Sequence, residues 1–180
     1  MKRLRGFTLI ESVIVIVVMG LAMITIMRFL APQIARSADP HYQTRAVALG
    51  QSIMGQILSK GFDQVQDPFG GNQRCSEAPL SVCTPEDGET AKFGPDAGET
   101  TPSKYNDVDD FKGCWVVGGT GSPCKDLSLL LEDQNKESYV NFRIDVAVTY
   151  QQVNVLKRID LLIEAANQAP IELTAYRGNY

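Results

Sequence analysis

The side chains with chemistry to offer fall in three places along the 180 residues. The first is a set of four cysteines, Cys75, Cys83, Cys114 and Cys124. They show no C-x-x-C spacing, and the single histidine, His41, lies far upstream. A tetrahedral zinc set therefore lacks its ligands, and a reactive thiol lacks a basic partner. His41 is expected at the surface. An even cysteine count in an exported chain implies two disulfides. Three connectivities stay open. The favoured expectation is the local one, Cys75–Cys83 with Cys114–Cys124, which closes two short loops.

The second place is the acidic run Tyr-Asn-Asp-Val-Asp-Asp-Phe-Lys at 105–112. Asp107, Asp109 and Asp110, with Asn106, supply the oxygen ligands that calcium prefers. The run lacks the glycine and the distal glutamate of an EF-hand loop. The expectation is a solvated loop, with Asp107, Asp109 and Asp110 as weak calcium candidates and no other cofactor. Arg74 or Lys112 could bind an anionic partner, with nothing in the sequence to distinguish them. No carboxylate pair has a legible acid–base spacing, and the serines have no accompanying base. G-x-S-x-G, H-E-x-x-H and a phosphate-binding glycine loop are all missing from the sequence. The chain does not read as an enzyme.

The third place is one carboxylate in an apolar run. Residues 7–27 read FTLIESVIVIVVMGLAMITIM, and Glu11 is their only ionisable side chain. At 1.5 Å per residue this segment is about 31 Å long, enough to cross a bilayer if Glu11 is tolerated near one face. Before it stands the basic hexamer Met-Lys-Arg-Leu-Arg-Gly. A cleaved secretory signal explains the basic start, but not the length of the run or the lack of a prompt A-x-A site. A plain single-pass anchor explains the topology but gives Glu11 no partner. Cleavage after Gly6 explains both, because the new Phe7 amine then lies one helical turn from the carboxylate. Opposite charges attract strongly where the dielectric is low.

The segment Gly6-Phe7-Thr8-Leu9-Ile10-Glu11 resembles the class III signal of type IV pilins and type II secretion pseudopilins. That resemblance implies a membrane peptidase that cuts after Gly6 and N-methylates Phe7. It implies that Glu11 pairs with the N-terminal amine of a neighbouring subunit during assembly. Gly20 and Pro32 match positions where such helices loosen in the filament, and both residue types weaken a helix interior.

These residues need elements to hold them. Pro32 and the segment Ser37-Ala38-Asp39-Pro40 predict a break over 32–39, with Asp39 as N-cap and Pro40 at N1. Residues 40–60 carry Val47, Leu49, Ile53, Met54, Ile57 and Leu58 at helical spacing, with Ala46 and Gly50 on the same side. Residues 62–126 are rich in turn residues. Weak strand signals lie at 80–83 and 114–117, and a further short strand is expected at 127–131. Val140 to Tyr150 alternates cleanly. A second alternating row runs Val153, Val155, Lys157, Ile159, Leu161 and Ile163, and a last strand covers 171–176. The expected fold is α+β and pilin-like. A helical spine, anchor 7–31 plus amphipathic helix 40–60, packs on a C-terminal antiparallel sheet. The division is a leader at 1–6, a membrane helix at 7–31, a break at 32–39 and a periplasmic domain at 40–180. That domain holds the disulfide-braced loops at 62–126 and a β-meander at 138–177.

Charge agrees with this division. The chain carries 17 Lys and Arg against 21 Asp and Glu, a net charge of -4. Lys2, Arg3 and Arg5 are part of the leader, so the body is more acidic still, which argues against a nucleic-acid binder. Several body segments resemble the minor pilin D class of the mannose-sensitive haemagglutinin (MSHA) pilus. They are 41–63, Arg74-Cys75, 105–114 and 172–180. The resemblance implies a minor subunit that primes assembly or serves attachment, made at the inner membrane and then displayed on the pilus. Its partners would be the prepilin peptidase, other major and minor pilins, the inner-membrane assembly platform and a surface ligand met through the 62–126 loops. A minor pseudopilin of a type II secretion system and a membrane-anchored periplasmic binding module are the alternative readings.

Overall fold

The computed structural model describes residues 8–37, 39–64, 74–77, 82–88, 92–131, 136–165 and 168–180, with the backbone alone for those between 31 and 40. Gly6 and Phe7 lie outside the described residues. The chain forms two units, Met1–His41 and Tyr42–Tyr180.

The first unit holds helix α1, Leu9–Ser37. The T-x-x-E spacing of Thr8 and Glu11 is that of a capping box. One arm of it is in place, since Thr8 Oγ1 accepts the Glu11 backbone N–H at 3.4 Å. Every described side chain from Thr8 to Leu30 is exposed. The helix passes Pro32 and ends at Ser37, so residues 32–37, where a break is expected, are helical. A proline forfeits one backbone hydrogen bond and need not end a helix.

The second unit is built on helix α2, Asp39–Leu58, and a five-stranded sheet. The strands are β1 (Gly113–Val116), β2 (Cys124–Asp126), β3 (Phe142–Gln152), β4 (Leu156–Ala165) and β5 (Ile171–Gly178), in the order β2-β1-β3-β4-β5. The meander β3-β4-β5 is antiparallel, with Val146 opposite Leu161 and Leu161 opposite Leu173. Strand β1 runs antiparallel to β3, and β2 runs parallel to β1. Alternation decides which residues point inward. Phe142, Ile144, Val146 and Val148 of β3, and Ile159, Leu161, Ile163 and Ala165 of β4, are buried. They meet the α2 stripe of Ala46, Leu49, Ile53, Met54 and Ile57, each apolar side chain contributing about 1.5–3 kcal/mol of transfer free energy. Gly50 belongs to the same stripe. A methyl placed there would stand 2.7 Å from Leu173 Cδ1, so the missing side chain is what lets the helix approach the sheet. Arg177 reaches back from β5 to the end of the helix, donating to the Leu58 carbonyl at 3.4 Å.

Two local expectations are corrected. Leu127–Leu129 is a 3-10 turn rather than a strand. Asp126 draws it out of the sheet by accepting the N–H groups of Ser128 and Gly118, both at 2.9 Å. Val82 and Cys83 lie in irregular backbone, and the other half of the 80–83 segment is outside the described residues.

Candidate functional site

Leu9–Leu30 is 22 residues of apolar helix, about 33 Å long, which matches the hydrocarbon thickness of a bilayer. Its side chains have no protein cover. An apolar surface of that size requires lipid or other helices around it. Glu11 sits in its first turn, where a carboxylate is also favoured by the helix dipole. A methyl placed on Gly20 would meet nothing within 4 Å, so this position is open to a neighbouring helix. Pro32 lies within α1, and its side chain is outside the description.

The cysteines form two bridges, Cys75–Cys83 and Cys114–Cys124. Cys114 and Cys124 are register partners on β1 and β2. This bridge therefore staples a parallel pair whose connection is far shorter than the dozen or more residues such a crossover usually takes. The other bridge holds a buried knot against Phe62, and Asn179 Nδ2 ties that knot to the C-terminus by donating to the Cys75 carbonyl at 3.2 Å. Asp63, Cys75 and Cys83 stand close enough together for a metal. Both sulfurs are consumed by their bridge, so no thiolate remains to ligate.

The acidic run departs most from expectation. Asp107, Asp109 and Asp110 are buried, each at 1% exposure or less, not solvated. Two of them are spent on backbone. Asp107 Oδ1 accepts the N–H groups of Asp109 (3.0 Å) and Asp110 (3.3 Å). Asp110 Oδ2 accepts those of Asn106 (3.0 Å) and Asp107 (3.1 Å). The turn they shape is anchored beyond α2, where Gly61 N–H donates to the Asn106 carbonyl at 2.8 Å and Val108 N–H to the Gly61 carbonyl at 3.1 Å. Asp109 takes a different partner. It is paired with Lys157, the one polar side chain in the inward row of β4.

Lys157 is buried completely and shares its ammonium widely. Besides Asp109 it faces Asp63 Oδ2 at 3.6 Å and donates to the Phe62 carbonyl. The rings of Phe93, Phe62 and Tyr150 surround Nζ at 4.5, 4.7 and 5.8 Å. Asp63 is held in turn by Thr84, accepting its N–H at 2.8 Å and its hydroxyl at 3.3 Å. Tyr150, the cross-strand partner of Lys157, donates its hydroxyl to the Thr84 carbonyl at 2.8 Å.

Electrostatics follow from this burial. Burial, with the charges of Asp109 and Asp110 behind it, pushes the Asp107 carboxyl up to about 9. Burial lifts Asp110 to about 7, with Glu99 adding to the lift and the two backbone bonds opposing it. Asp109 is raised by burial while Lys157 pulls the other way. Next to this cluster, burial lowers Lys125 to about 8. Its ammonium lies 4.9 Å from the Trp115 ring and 5.2 Å from the Tyr105 ring, and it donates to the Asp110 carbonyl at 2.9 Å.

The sequence grouped Asp107, Asp109 and Asp110 and placed Lys157 in an alternating row. It did not bring Asp63, Phe62 and Phe93 to that row. The only local signal was the lysine itself, because a cation on an inward row must find partners.

Residues 1–27 match the prokaryotic N-terminal methylation motif. No curated protein and no solved structure matches the chain. The motif, the bare apolar helix and a domain with a helix packed on a sheet are together consistent with the general type IV pilin or pseudopilin fold. The motif is consistent with processing by a prepilin peptidase and with assembly alongside other pilin subunits.

Proposed function

We propose that this chain is a minor pilin of an MSHA-like type IV pilus, a structural subunit with no catalytic role. The observation that carries the reading is the methylation motif placed on a helix whose described apolar side chains, Leu9 to Leu30, are uncovered and hold one carboxylate among them, Glu11. The subunit waits in the inner membrane with its basic leader in the cytoplasm and its domain in the periplasm. Cleavage after Gly6 frees the Phe7 amine for methylation. The helix then leaves lipid for the filament core, where neighbouring helices replace the lipid around it.

Apolar helices slide past one another easily, so the ion pair of Glu11 with a neighbour's amine supplies the register. Gly20 and Pro32 let the helix loosen as it packs. The resemblance of residues 41–63, 105–114 and 172–180 to the minor pilin D class supports the assignment to the MSHA-like pilus. The bridged loops of 62–126 are the part of the domain offered to a surface ligand.

The test is fractionation. Filaments sheared from the cell surface and probed for this chain should contain it as a minor component. Confinement to the cell envelope, in cells that carry the filaments, contradicts the reading.

A further inference from the structure

Lys157 and Asp109 meet where amide formation has what it needs. The reacting groups come from β4 and from the 105–112 turn, and both are buried. Three aromatic rings line the site, so bulk water does not compete for either group. Two further carboxyls flank the pair, Asp63 on the amine side and Asp107 on the acid side. Asp107 is hydrogen-bonded to Asp109, and its own position is fixed by two backbone N–H groups. A purely electrostatic role for Lys157 is met by Asp109 and Asp63. Asp107 Oδ1 accepts the Asp109 backbone N–H at 3.0 Å, which sets a third carboxyl beside the acid of the pair.

We propose that Lys157 Nζ and Asp109 Cγ are joined by an intramolecular isopeptide bond, formed with loss of one water and assisted by Asp107 and Asp63.

The step balances without an oxidant or a cofactor. Lys157 passes one ammonium proton to Asp63, leaving a free amine. Asp107 passes its proton to the Asp109 carboxylate, making a neutral acid. The amine lone pair attacks Cγ, forming the C–N bond and moving the carbonyl electrons onto oxygen. The surplus proton on nitrogen returns to the Asp107 carboxylate. The C–O bond then breaks, and the departing hydroxyl leaves as water with the proton held by Asp63. Both flanking carboxyls end as they began. Burial keeps Asp107 protonated at neutral pH, which suits the acid that opens the sequence. Fixed placement supplies the drive, since well-oriented intramolecular pairs reach effective molarities of ~10⁵–10⁸ M. The bond would lock β4 to a turn 48 residues earlier, a longer span than either disulfide closes. The chemistry is independent of the filament reading.

The full chain, purified in detergent, reduced, alkylated and digested with trypsin, decides the matter. The expected product is the peptide 105–112 linked to the peptide 144–158, at their summed mass less one water, with no cut after Lys157. Free 105–112 at full mass, with cleavage after Lys157, overturns the proposal. So does a dehydrated 105–112 that is not linked, which would be a cyclised aspartate. For the assisting group, Asp107→Asn should slow linkage about 10²-fold in a pulse-chase of newly made protein. Linkage at the original rate overturns the role given to Asp107. Because the unaltered chain gives the main result, a poorly folding variant cannot obscure it.

Discussion

Asp110 Oδ2 accepts the backbone N–H of Asp107 at 3.1 Å, so the two acids that a reader of the sequence would group as ligands are partners in one turn. The turn costs Asp110 its ordinary acidity. Its carboxyl is held up to about 7 by burial, against a usual 3.8. A raised carboxyl binds its proton more tightly folded than unfolded, so its contribution is whole below pH 4 and is lost as pH rises to 7. The unfolding midpoint of the full chain should therefore fall between pH 5 and pH 7.5. Asp110→Asn mimics the protonated form and should reduce that fall, leaving the part that Asp107, raised to about 9, contributes over the same range. Thermal unfolding followed by circular dichroism checks this, and an unchanged slope in the variant contradicts it. The window closes before Lys125, lowered to about 8, changes its charge.

Two glycines should respond in opposite directions. A methyl at Gly119 would come within 2.6 Å of the Lys125 carbonyl carbon and 2.7 Å of the Cys124 oxygen. Both are backbone atoms of β2, so nothing flexible can yield. Gly119→Ala should cost about 1–3 kcal/mol. Gly55 is exposed in α2 with nothing within 4 Å, and Gly55→Ala should gain about 0.5–1 kcal/mol. Urea unfolding midpoints of the two variants carry the comparison, and a loss at Gly55 or neutrality at Gly119 would show the packing to be misread.

The bridge Cys114–Cys124 holds a three-residue edge strand to the sheet. Replacing both cysteines with serine should lower stability by about 2–3 kcal/mol in the chain-entropy account. Amide exchange should rise in β2 before it rises in β3 or β4. Uniform loss of protection across the sheet would mean that the bridge does not act locally.

Long periodic elements were legible because their signal is local. The α2 stripe from Ala46 to Ile57 and the alternation from Phe142 to Val148 each follow from spacing within one segment. The strand β2 was missed because three residues carry no period, and Leu127–Leu129 misled because an apolar run does not show that Asp126 turns it. The buried cluster was illegible for a different reason. Asp109 finds Lys157 only after the sheet has formed, 48 residues further on. Three acids in a loop with only Lys112 beside them read as solvated, since a buried charge without a full set of partners is costly. The lysine in the β4 row is the one local sign of the cluster, because a cation on an inward row requires acids to meet it.

Glu11 should matter for assembly and not for processing. Glu11→Ala is expected to be cleaved normally and to enter filaments poorly, because it lacks the carboxylate that fixes the register. Co-purification of the variant with other subunits at the original level contradicts this. Gly6→Leu should leave the precursor uncut, seen as an unshifted band on a gel.

Mass spectrometry of the N-terminal peptide from sheared filaments reads the mature terminus and its modification together. The expected chain begins at Phe7 and carries one methyl group on its amine. A mature chain beginning at Met1, or at any residue past Arg28, would leave Glu11 without its amine partner and rule out assembly by that pair.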